Sequence, residues 1–395
     1  MLYKKISEIA EILNGFAFQS KKYVKSGIRV IRIANVQDGE IVDDQPCFYP
    51  DDSKAEIERY MLAEGDLLIS LTGNVGRVGL IPKFMLPAAL NQRVCCLRRK
   101  NDNVNLKYLF LYLRRKAFVR ECIKASKGVA QLNLSTKWIE NYEIPIPSRQ
   151  EQDRIVKKIE ELFSELDSAV ETLKKTKEQL AVYRQSVLKD AFEGIQQKTT
   201  LEQCLAEKPR NGYSEKAVDY ETRYKNLTLT ATTSGVFKEN CFKYIDIDID
   251  ENSYLWVKKN DILIQRANTL EYVGTSVIYL GEDNKYVYPD LIMKCSAKTE
   301  FLPQFLVYQL QSLDCRKYFR EHATGTAGSM PKINQKVVCS TPIKITNKKV
   351  QREIVQYIES RFTVCDNIEK TVNETLAQAE AMRQSILKKA FEGNL

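Results

Sequence analysis

Residues that could perform acid–base or metal chemistry are scarce in this 395-residue chain. The single histidine, His322, excludes a histidine-based metal cluster and reads as an ordinary surface residue, and no Ser-His-Asp triad is recognisable. The ten cysteines are scattered and show none of the CxxC or CxxH spacings of a zinc site. We therefore predict reduced, buried thiols and no metal site.

Two Pro-Asp segments invite comparison with magnesium-dependent nucleases. They lie in "YPDDSKAEIER", which starts at Tyr49, and in "YPDLIMKCSAK", which starts at Tyr288. Neither continues into the acidic-x-Lys element that would complete a Mg²⁺ site. A GxxxxGK[ST] phosphate loop and the Asn/Asp-Pro-Pro-aromatic tetrapeptide of amino-methyltransferases are also missing. This pattern favours a protein that binds its target without transforming it.

One glycine-rich stretch, "TGNVGRVG", deserves comparison with nucleotide-binding loops. Its glycines, Gly73, Gly76 and Gly79, have the wrong spacing for GxGxxG, and we interpret the stretch as a tight strand connection. Asn74 and Arg77 could project from such a turn into a DNA groove.

Positive charge is concentrated in the first part of the chain. Residues 1–150 contain 24 basic and 16 acidic residues, a net charge of +8 out of +9 for the whole chain. Residues 201–348 carry +2, and the stretches 151–200 and 349–395 carry −1 and 0. This basic excess permits nucleic-acid binding without proving it.

A long internal repeat shows which elements must position these residues. "RQSVLKDAFEG" begins at Arg184 and "RQSILKKAFEG" at Arg383, an offset of 199 that also aligns Gln152 with Gln351 and needs no gap over about 45 residues. A period of this length is too long for a solenoid and indicates a duplicated pair of domains.

Each copy of the repeat reads as one long helix without internal Pro or Gly. Apolar residues alternate in steps of four and three, which predicts an intramolecular coiled coil with Arg361 as an imperfection in its seam. We expect Gly194 to cap the first helix. The heptad positions are Ile155, Ile159, Leu162, Leu166, Ala169, Leu173, Thr176, Leu180, Tyr183 and Val187, and in the second copy Ile354, Ile358, Arg361, Cys365, Ile368, Val372, Thr375, Ala379, Met382 and Ile386.

The segments before the helices also correspond, but more faintly. "GDLLISLTGNVGRVGLI" from Gly65 is similar to "NDILIQRANTLEYVGTSVIYL" from Asn260, and "KGVAQLNLSTKWIENYEIPIP" parallels "TGTAGSMPKINQKVVCSTPIKI". The predicted fold is mixed α+β, with two globular α/β domains at 1–149 and 195–348 and two long coiled-coil helices at 150–194 and 349–395. The helices keep their spacing while the globular copies differ, as expected for a duplicated scaffold that carries different readers.

Several motifs in this order resemble the specificity subunit of type I restriction-modification systems. They are "EIAEILNGFAFQSKKYVKSGIRVIRIANVQDGEI", "GDLLISLTGNVGRVGLI", "IPIPSRQEQDRIVKKIE" and the two "RQS" closures, and together they cover essentially the whole chain. The resemblance implies two target recognition domains that each read half of a bipartite, asymmetric DNA site, with the two long helices paired antiparallel as a ruler between them. It also implies two modification subunits that methylate adenine at N6, and optionally restriction subunits that translocate DNA. S-adenosylmethionine, ATP and Mg²⁺ would be bound by those partners, and the chain itself would be non-catalytic. No apolar stretch of the sequence approaches the roughly 18 residues that a membrane span needs, so we expect a cytoplasmic protein without membrane contact.

The second domain departs from this pattern at two places. "RANTLEYVG" from Arg266 replaces the "TGNVG" turn, which suggests another half-site, and "IKITNKKVQ" replaces "IPIPSRQEQ". Polar and basic turn residues are the candidates for contacts to phosphates and base edges. In the first domain these are Thr72, Asn74, Arg77, Asn91, Gln92, Arg93, Lys127 and Gln131, and in the second Arg210, Asn211, Tyr213, Arg266, Asn268, Thr269, Tyr272 and Lys332.

The repeated phrase predicts two near-equivalent docking surfaces for the modification subunits. Phe192 and Phe391, with Leu188 and Leu387, are the residues expected to complete them. Two other hypotheses stay open: a protein-binding adaptor that uses the coiled coil as a spacer, and an enzyme that acts alone.

Overall fold

The chain forms two compact units in a computed structural model that describes residues 2–128, 130–325 and 330–395. Unit 1 comprises Met1–Leu173 and Glu374–Leu395, and unit 2 comprises Lys174–Asn373. Each unit therefore contains one globular segment and one end of each long helix. Within the described ranges no helix is both long and apolar enough to cross a membrane.

Unit 1 contains short strands, short helices and the beginning of a long helix. Its strands are β1 (Tyr3–Lys5), β2 (Ala10–Asn14), β3 (Ile28–Ile31), β4 (Phe48–Tyr49), β5 (Leu67–Ser70), β6 (Val78–Leu80), β7 (Ala88–Leu90), β8 (Val94–Arg99) and β9 (Glu143–Pro145). Its helices are α1 (Ile6–Ile9), α2 (Lys54–Ile57), α3 (Leu106–Leu113), α4 (Lys116–Ala125), α5 (Thr136–Asn141) and the first part of α6 (Arg149–Glu193).

The centre of unit 1 is a four-stranded antiparallel sheet in the order β2-β8-β5-β6. All of β5 is buried, because Leu67 and Ile69 pack with α3 and α4 while Leu68 packs with the smaller sheet β4-β3-β7. A strand covered on both faces reads as a continuous apolar run, as this one does. β1 pairs antiparallel with β9, which brings the chain to the start of α6.

Unit 2 repeats this set of elements. Its strands are β10 (Lys198–Thr200), β11 (Arg210–Asn211), β12 (Tyr224–Leu227), β13 (Phe242–Ile245), β14 (Ile262–Gln265), β15 (Ser276–Ile278), β16 (Ile292–Cys295) and β17 (Pro342–Lys344). Its helices are α7 (Leu201–Cys204), α8 (Pro303–Gln311), α9 (Leu313–Glu321), α10 (Gln335–Cys339) and the first part of α11 (Lys348–Phe391).

The sheet of unit 2 has the order β11-β16-β14-β15 and matches that of unit 1. The central strand β14 is again buried throughout, with Ile262 and Ile264 facing α8 and α9 and Leu263 facing the pair β12-β13. β10 pairs with β17 immediately before α11, as β1 pairs with β9 before α6.

The long helices α6 and α11 run antiparallel and are held together by the same pair of groups in both units. In unit 1 Arg383 donates to Asp167, and its guanidinium lies 5.3 Å from the ring centre of Phe163. In unit 2 Arg184 donates to Asp366 (2.7 Å) and lies 5.2 Å from the ring of Phe362. The predicted class, a mixed α and β chain with two long antiparallel helices, is confirmed.

The predicted apolar residues alternate between two heptad positions along each helix, and one of these two positions is wrong. Cys365, Val372 and Ala379 are buried as expected, but the intervening Arg361, Ile368 and Met382 are exposed. At this heptad position the residue that faces inward is the next one in the sequence. An aromatic ring and an ion-paired arginine are among these inward residues, which are Phe362, Glu369, Leu376 and Arg383. The first helix shows the same shift, with Ala169 and Tyr183 exposed.

The two helices end differently. Gly393 has a φ of +78°, and the N–H of Asn394 donates to the carbonyl of Lys389 (2.8 Å), a glycine cap. Gly194 does not adopt the left-handed conformation, so the cap predicted there is wrong. The chain continues there into unit 2, where Ile195 packs on the core and its N–H donates to the carbonyl of Phe192 (3.3 Å).

A buried glutamine anchors the start of each long helix to its own domain. Gln152 is fully buried, accepts the N–H of Asn105 (2.8 Å) and donates to the carbonyls of Asn103 (3.0 Å) and Pro147 (2.9 Å).

Gln351 repeats this arrangement in unit 2. It is 1 % exposed, accepts from the N–H of Leu302 (2.8 Å) and donates to the carbonyls of Glu300 (3.1 Å) and Thr346 (2.9 Å). The direction in which each helix leaves its domain is therefore set by three hydrogen bonds from one side chain.

Candidate nucleic-acid interface

The turn between β5 and β6 carries the first predicted residues of unit 1. Its ends are joined because the N–H of Ser70 donates to the carbonyl of Arg77 and the N–H of Gly76 donates to the carbonyl of Ser70, both at 2.9 Å. Gly76 has a φ of +79°, and a Cβ there would lie 2.8 Å from Sγ of Cys122 on α4. Only glycine fits this position without strain, so the turn has one fixed shape.

A second segment, with described residues 127–128 and 130–133, lies against this turn. Thr72 is buried, and its hydroxyl donates to Oδ1 of Asn133 (3.0 Å). Lys127 and Asn133 exchange backbone hydrogen bonds of 2.9 and 2.8 Å. Asn74, Lys127 and Gln131 are exposed on the paired segments, whereas Thr72 holds the segments together.

The turn between β7 and β8 adds a third segment. Asn91 is 9 % exposed and its Oδ1 accepts the N–H of Arg93 (3.2 Å), while Gln92 and Arg93 are exposed. The N–H of Leu71 donates to the carbonyl of Arg93 (2.9 Å), which links this turn to the first. We call the exposed residues of the three segments the first recognition surface: Asn74, Gln92, Arg93, Lys127 and Gln131.

Arg77, another residue predicted for DNA contact, makes a side-chain hydrogen bond outside these three segments. It is half-buried, and its guanidinium donates to Oε1 of Gln37 (2.6 Å). This bond directs the side chain toward the loop after β3.

Unit 2 contains the equivalent turn, although its sequence differs. The N–H of Gly274 donates to the carbonyl of Gln265 (2.7 Å), and Gly274 has a φ of +78°. A Cβ there would lie 2.7 Å from Cβ of Phe319 on α9, as one at Gly76 would meet α4. The sequence departure at "RANTLEYVG" therefore keeps the closing hydrogen bond and the glycine against the helix, while it lengthens the turn from residues 70–76 in unit 1 to residues 265–274 in unit 2 and changes its side chains.

Unit 2 also has a counterpart of the segment that pairs through Lys127 and Asn133 in unit 1. Thr324 and Lys332 exchange backbone hydrogen bonds of 2.8 Å, and Lys332 also bridges to Ala267. Thr269 and Lys332 are exposed, and the half-buried Arg266 donates to the carbonyl of Asp290 (3.3 Å). We call Arg266, Thr269 and Lys332 the second recognition surface.

Other predicted residues of unit 2 occupy different environments. Asn268 is part of the framework, because its amide donates to Oε1 of the buried Gln265 (2.8 Å). Tyr272 is half-buried and lines a groove of about 1160 Å³ together with side chains of α6, α9 and α11.

The edge strand β11 carries two further predicted residues, Arg210 and Asn211, both exposed. The guanidinium of Arg210 lies 5.2 Å from the ring centre of Tyr254. Tyr213 is 48 % exposed and its hydroxyl donates to Glu215 (3.1 Å). These side chains are accessible to a partner outside the turn itself.

The four residues predicted for partner docking lie inside their own units. Phe391 packs edge-on against Tyr108 and Tyr112 at 5.3 and 5.0 Å, and Phe192 packs against Phe305 at 5.5 Å. Leu188 and Leu387 are also buried. The rings thus fix each helix end to its own domain, and their part in partner binding stays a prediction.

Most of the thiols are buried. Eight of the ten cysteines, all of them free, are buried, and burial raises the pKa of the Cys95 thiol to about 12 and that of Cys204 to about 11. The described part of the chain contains no group of His, Cys, Asp and Glu side chains suited to a metal ion. Burial also lowers the pKa of Arg316 to about 10, and its guanidinium donates to the carbonyls of Val273 (2.7 Å) and Glu271 (2.6 Å).

Comparison with known proteins gives a consistent family. Residues 2–181 match the model of the type I restriction modification DNA specificity domain. The chain is 24% identical to the type I restriction enzyme EcoKI specificity subunit of Escherichia coli K12, over 99% of this chain and 88% of that protein. It is 25% identical to the EcoBI specificity subunit of Escherichia coli, over 99% and 85% of the two chains.

The fold is also that of a solved structure from a study of complex assembly and conformational transition of the type I R-M system. The two share 16% sequence identity with a TM-score of 0.68 over 100% of this chain and 98% of the other. Residues 2–181 thus match a type I restriction modification DNA specificity domain, and over its full length the chain is similar to type I restriction enzyme specificity subunits.

Proposed function

We propose that the chain recognises a bipartite, asymmetric site in double-stranded DNA, with one half-site read by each unit. The observation that carries the proposal is the pair of equivalent turn frameworks with unlike side chains. Gly76 and Gly274 close the two turns in the same way, each with a positive φ and a position against the neighbouring helix, while the polar groups of the turns differ: Asn74 and Gln131 in unit 1, Thr269 and Arg266 in unit 2. Similar scaffolds with different hydrogen-bonding groups are suited to reading different base sequences.

The same proposal assigns the chemistry to partner subunits. The chain directs two modification subunits, which methylate adenine, and optionally restriction subunits, and it carries no catalytic step of its own. S-adenosylmethionine, ATP and Mg²⁺ are expected on those partners, and the assembly would work in the cytoplasm. Recognition domains at 1–149 and 195–348 remain our assignment of the domain boundaries.

The test is the salt dependence of duplex DNA binding by the full chain in complex with its modification subunits. If the two units neutralise phosphates, the logarithm of the association constant should fall linearly with the logarithm of salt, with a slope of about −0.9 per phosphate contacted. Methylation-aware sequencing of host DNA then identifies the bipartite motif.

A protein-binding adaptor would give a different result. Its affinity for duplex DNA would be weak at every salt concentration and insensitive to sequence, and removal of the chain would leave the modified motif unchanged. Methyl transfer by the purified chain alone, incubated with DNA and S-adenosylmethionine, would instead support an enzyme.

A further inference from the structure

We propose that a basic depression on unit 1 seats one phosphate of the DNA backbone. The depression has a volume of about 270 Å³ and is lined by Arg32, Ile33, Ala34, Asn91, Gln92 and Arg93. The inference rests on the proposed function and adds to it a named residue, Arg32, that was not among the predicted DNA contacts.

Arg32 follows directly after β3 and has an unfilled donor. One terminal nitrogen of its guanidinium donates to the carbonyl of Gln45 (2.9 Å). Its Nε atom is buried and has no hydrogen-bond partner among the described residues. A buried donor without an acceptor is destabilising, more so when it is charged, and an oxyanion bound beside the guanidinium would offset this cost.

The surrounding groups select an anion. Asn91 donates its N–H to the carbonyl of Ile31 (3.1 Å), which holds the turn after β7 beside the end of β3. Arg93 and Gln92 are exposed on this turn, and none of the lining residues is acidic. Two guanidinium groups beside one cavity favour the binding of a phosphate, because each planar guanidinium can donate two parallel hydrogen bonds to phosphate oxygens.

The depression adjoins the first recognition surface. The carbonyl of Arg93 accepts the N–H of Leu71, one residue before the turn that carries Asn74. A phosphate held here would fix the register of the duplex, and the neighbouring polar side chains would then meet base edges.

Unit 2 lacks this seat. Its equivalent backbone bond runs from the N–H of Arg266 to the carbonyl of Leu291 (2.8 Å), so Leu291 takes the place of Arg93 and Asp290 that of Gln92. The same alignment of strands puts Thr228 at the position of Arg32. The difference agrees with the net charge of +8 on residues 1–150 against +2 on residues 201–348.

The experiment measures the salt slope of duplex binding for Arg32→Gln in the complex with modification subunits. Loss of one phosphate contact should make the slope shallower by about 1 and weaken all sequences equally. Arg93→Gln, at an exposed position that is safe for folding, should give the same change. Arg32→Lys should retain most of the slope, and Arg59→Gln, which removes an exposed charge outside the depression, should leave it unchanged.

Two outcomes would contradict the proposed phosphate site while leaving the proposed function intact. One is an unchanged slope in both Arg32→Gln and Arg93→Gln when the parent complex shows its full salt dependence. The other is saturable stabilisation of the chain by inorganic phosphate that disappears in Arg32→Gln without any change in DNA binding, which would identify a site for free phosphate. A parent complex without salt-dependent binding would instead contradict the proposed function itself.

Discussion

At the scale of single residues, the two buried glutamines have the clearest structural role. Gln152 and Gln351 are 199 positions apart in sequence and make the same three hydrogen bonds in their own units. Each joins the first turn of a long helix to backbone groups of the globular domain. A glutamine suits this place because one side chain supplies both an acceptor and two donors.

We expect Gln152→Leu to lower the free energy of unfolding by about 1–3 kcal/mol, because it leaves a backbone N–H and two carbonyls without their partner. Chemical denaturation should show this loss, and Gln351→Leu should show a similar one. Gln150→Leu, at an exposed position two residues earlier, is the matched control and should change stability by less than about 0.5 kcal/mol. Equal stability of Gln150→Leu and Gln152→Leu would show that the three hydrogen bonds of Gln152 do not stabilise the fold.

At the scale of elements, the two long helices are specified by their charges as well as by their apolar residues. Arginine at one end of each helix meets an aspartate of the other: Arg383 with Asp167 and Arg184 with Asp366. Arg383 is 15% exposed and Asp167 56%, so each pair spans from the helix interface to solvent. Such pairs select one register, because a slip by one heptad would separate both.

A charge-reversal cycle tests this register. Arg383→Glu and Asp167→Arg should each destabilise unit 1, and the double variant should recover a coupling energy of about 0.2–1 kcal/mol in unfolding measurements. The coupling should shrink at high salt, because the pair is partly exposed. Arg361→Glu, on the outward face, provides the control without an expected coupling to Asp167, and a cycle with no coupling at either end would refute the pairing as a register device.

At the scale of the whole molecule, the helices are expected to set the distance between the half-sites. Domains on one face of DNA would meet half-sites about one helical turn apart, roughly 34–36 Å. One heptad corresponds to about 10 Å of helix, or about three base pairs. Removing it should alter the spacer or abolish binding.

The deletion is best designed in two forms. Removal of residues 172–178 from α6 alone makes the Arg184–Asp366 and Arg383–Asp167 pairs incompatible with a single register, so we expect loss of binding. Paired removal of 172–178 and 371–377 retains both pairs and should shift or narrow the tolerated spacer in a binding selection from a library of DNA spacers. A changed half-site sequence at constant spacer length would contradict the ruler hypothesis.

Local patterns explain what could be predicted and what could not. The 199-residue offset and the buried β5 and β14 follow from sequence, because repeats and apolar runs are properties of neighbouring residues. One heptad position was misassigned, because apolar character alone did not reveal that Phe362 and the ion-paired Arg383 would face inward. The turn of unit 2 differs in length and side chains, as its sequence indicates, but sequence comparison does not show that Gly274 has the conformation of Gly76.

The duplication, the mixed α and β class, the two long helices and the resemblance to type I specificity subunits can all be read from the amino-acid sequence. Which candidate side chains share a surface depends on the tertiary fold. Hydrogen bonds between distant segments bring together the five residues of the first recognition surface, and Arg32 lies beside Gln92 and Arg93 on a fourth segment. The tertiary structure also places Phe192 and Phe391 in the cores of their units, because burying an aromatic ring against the domain stabilises the helix end that carries it.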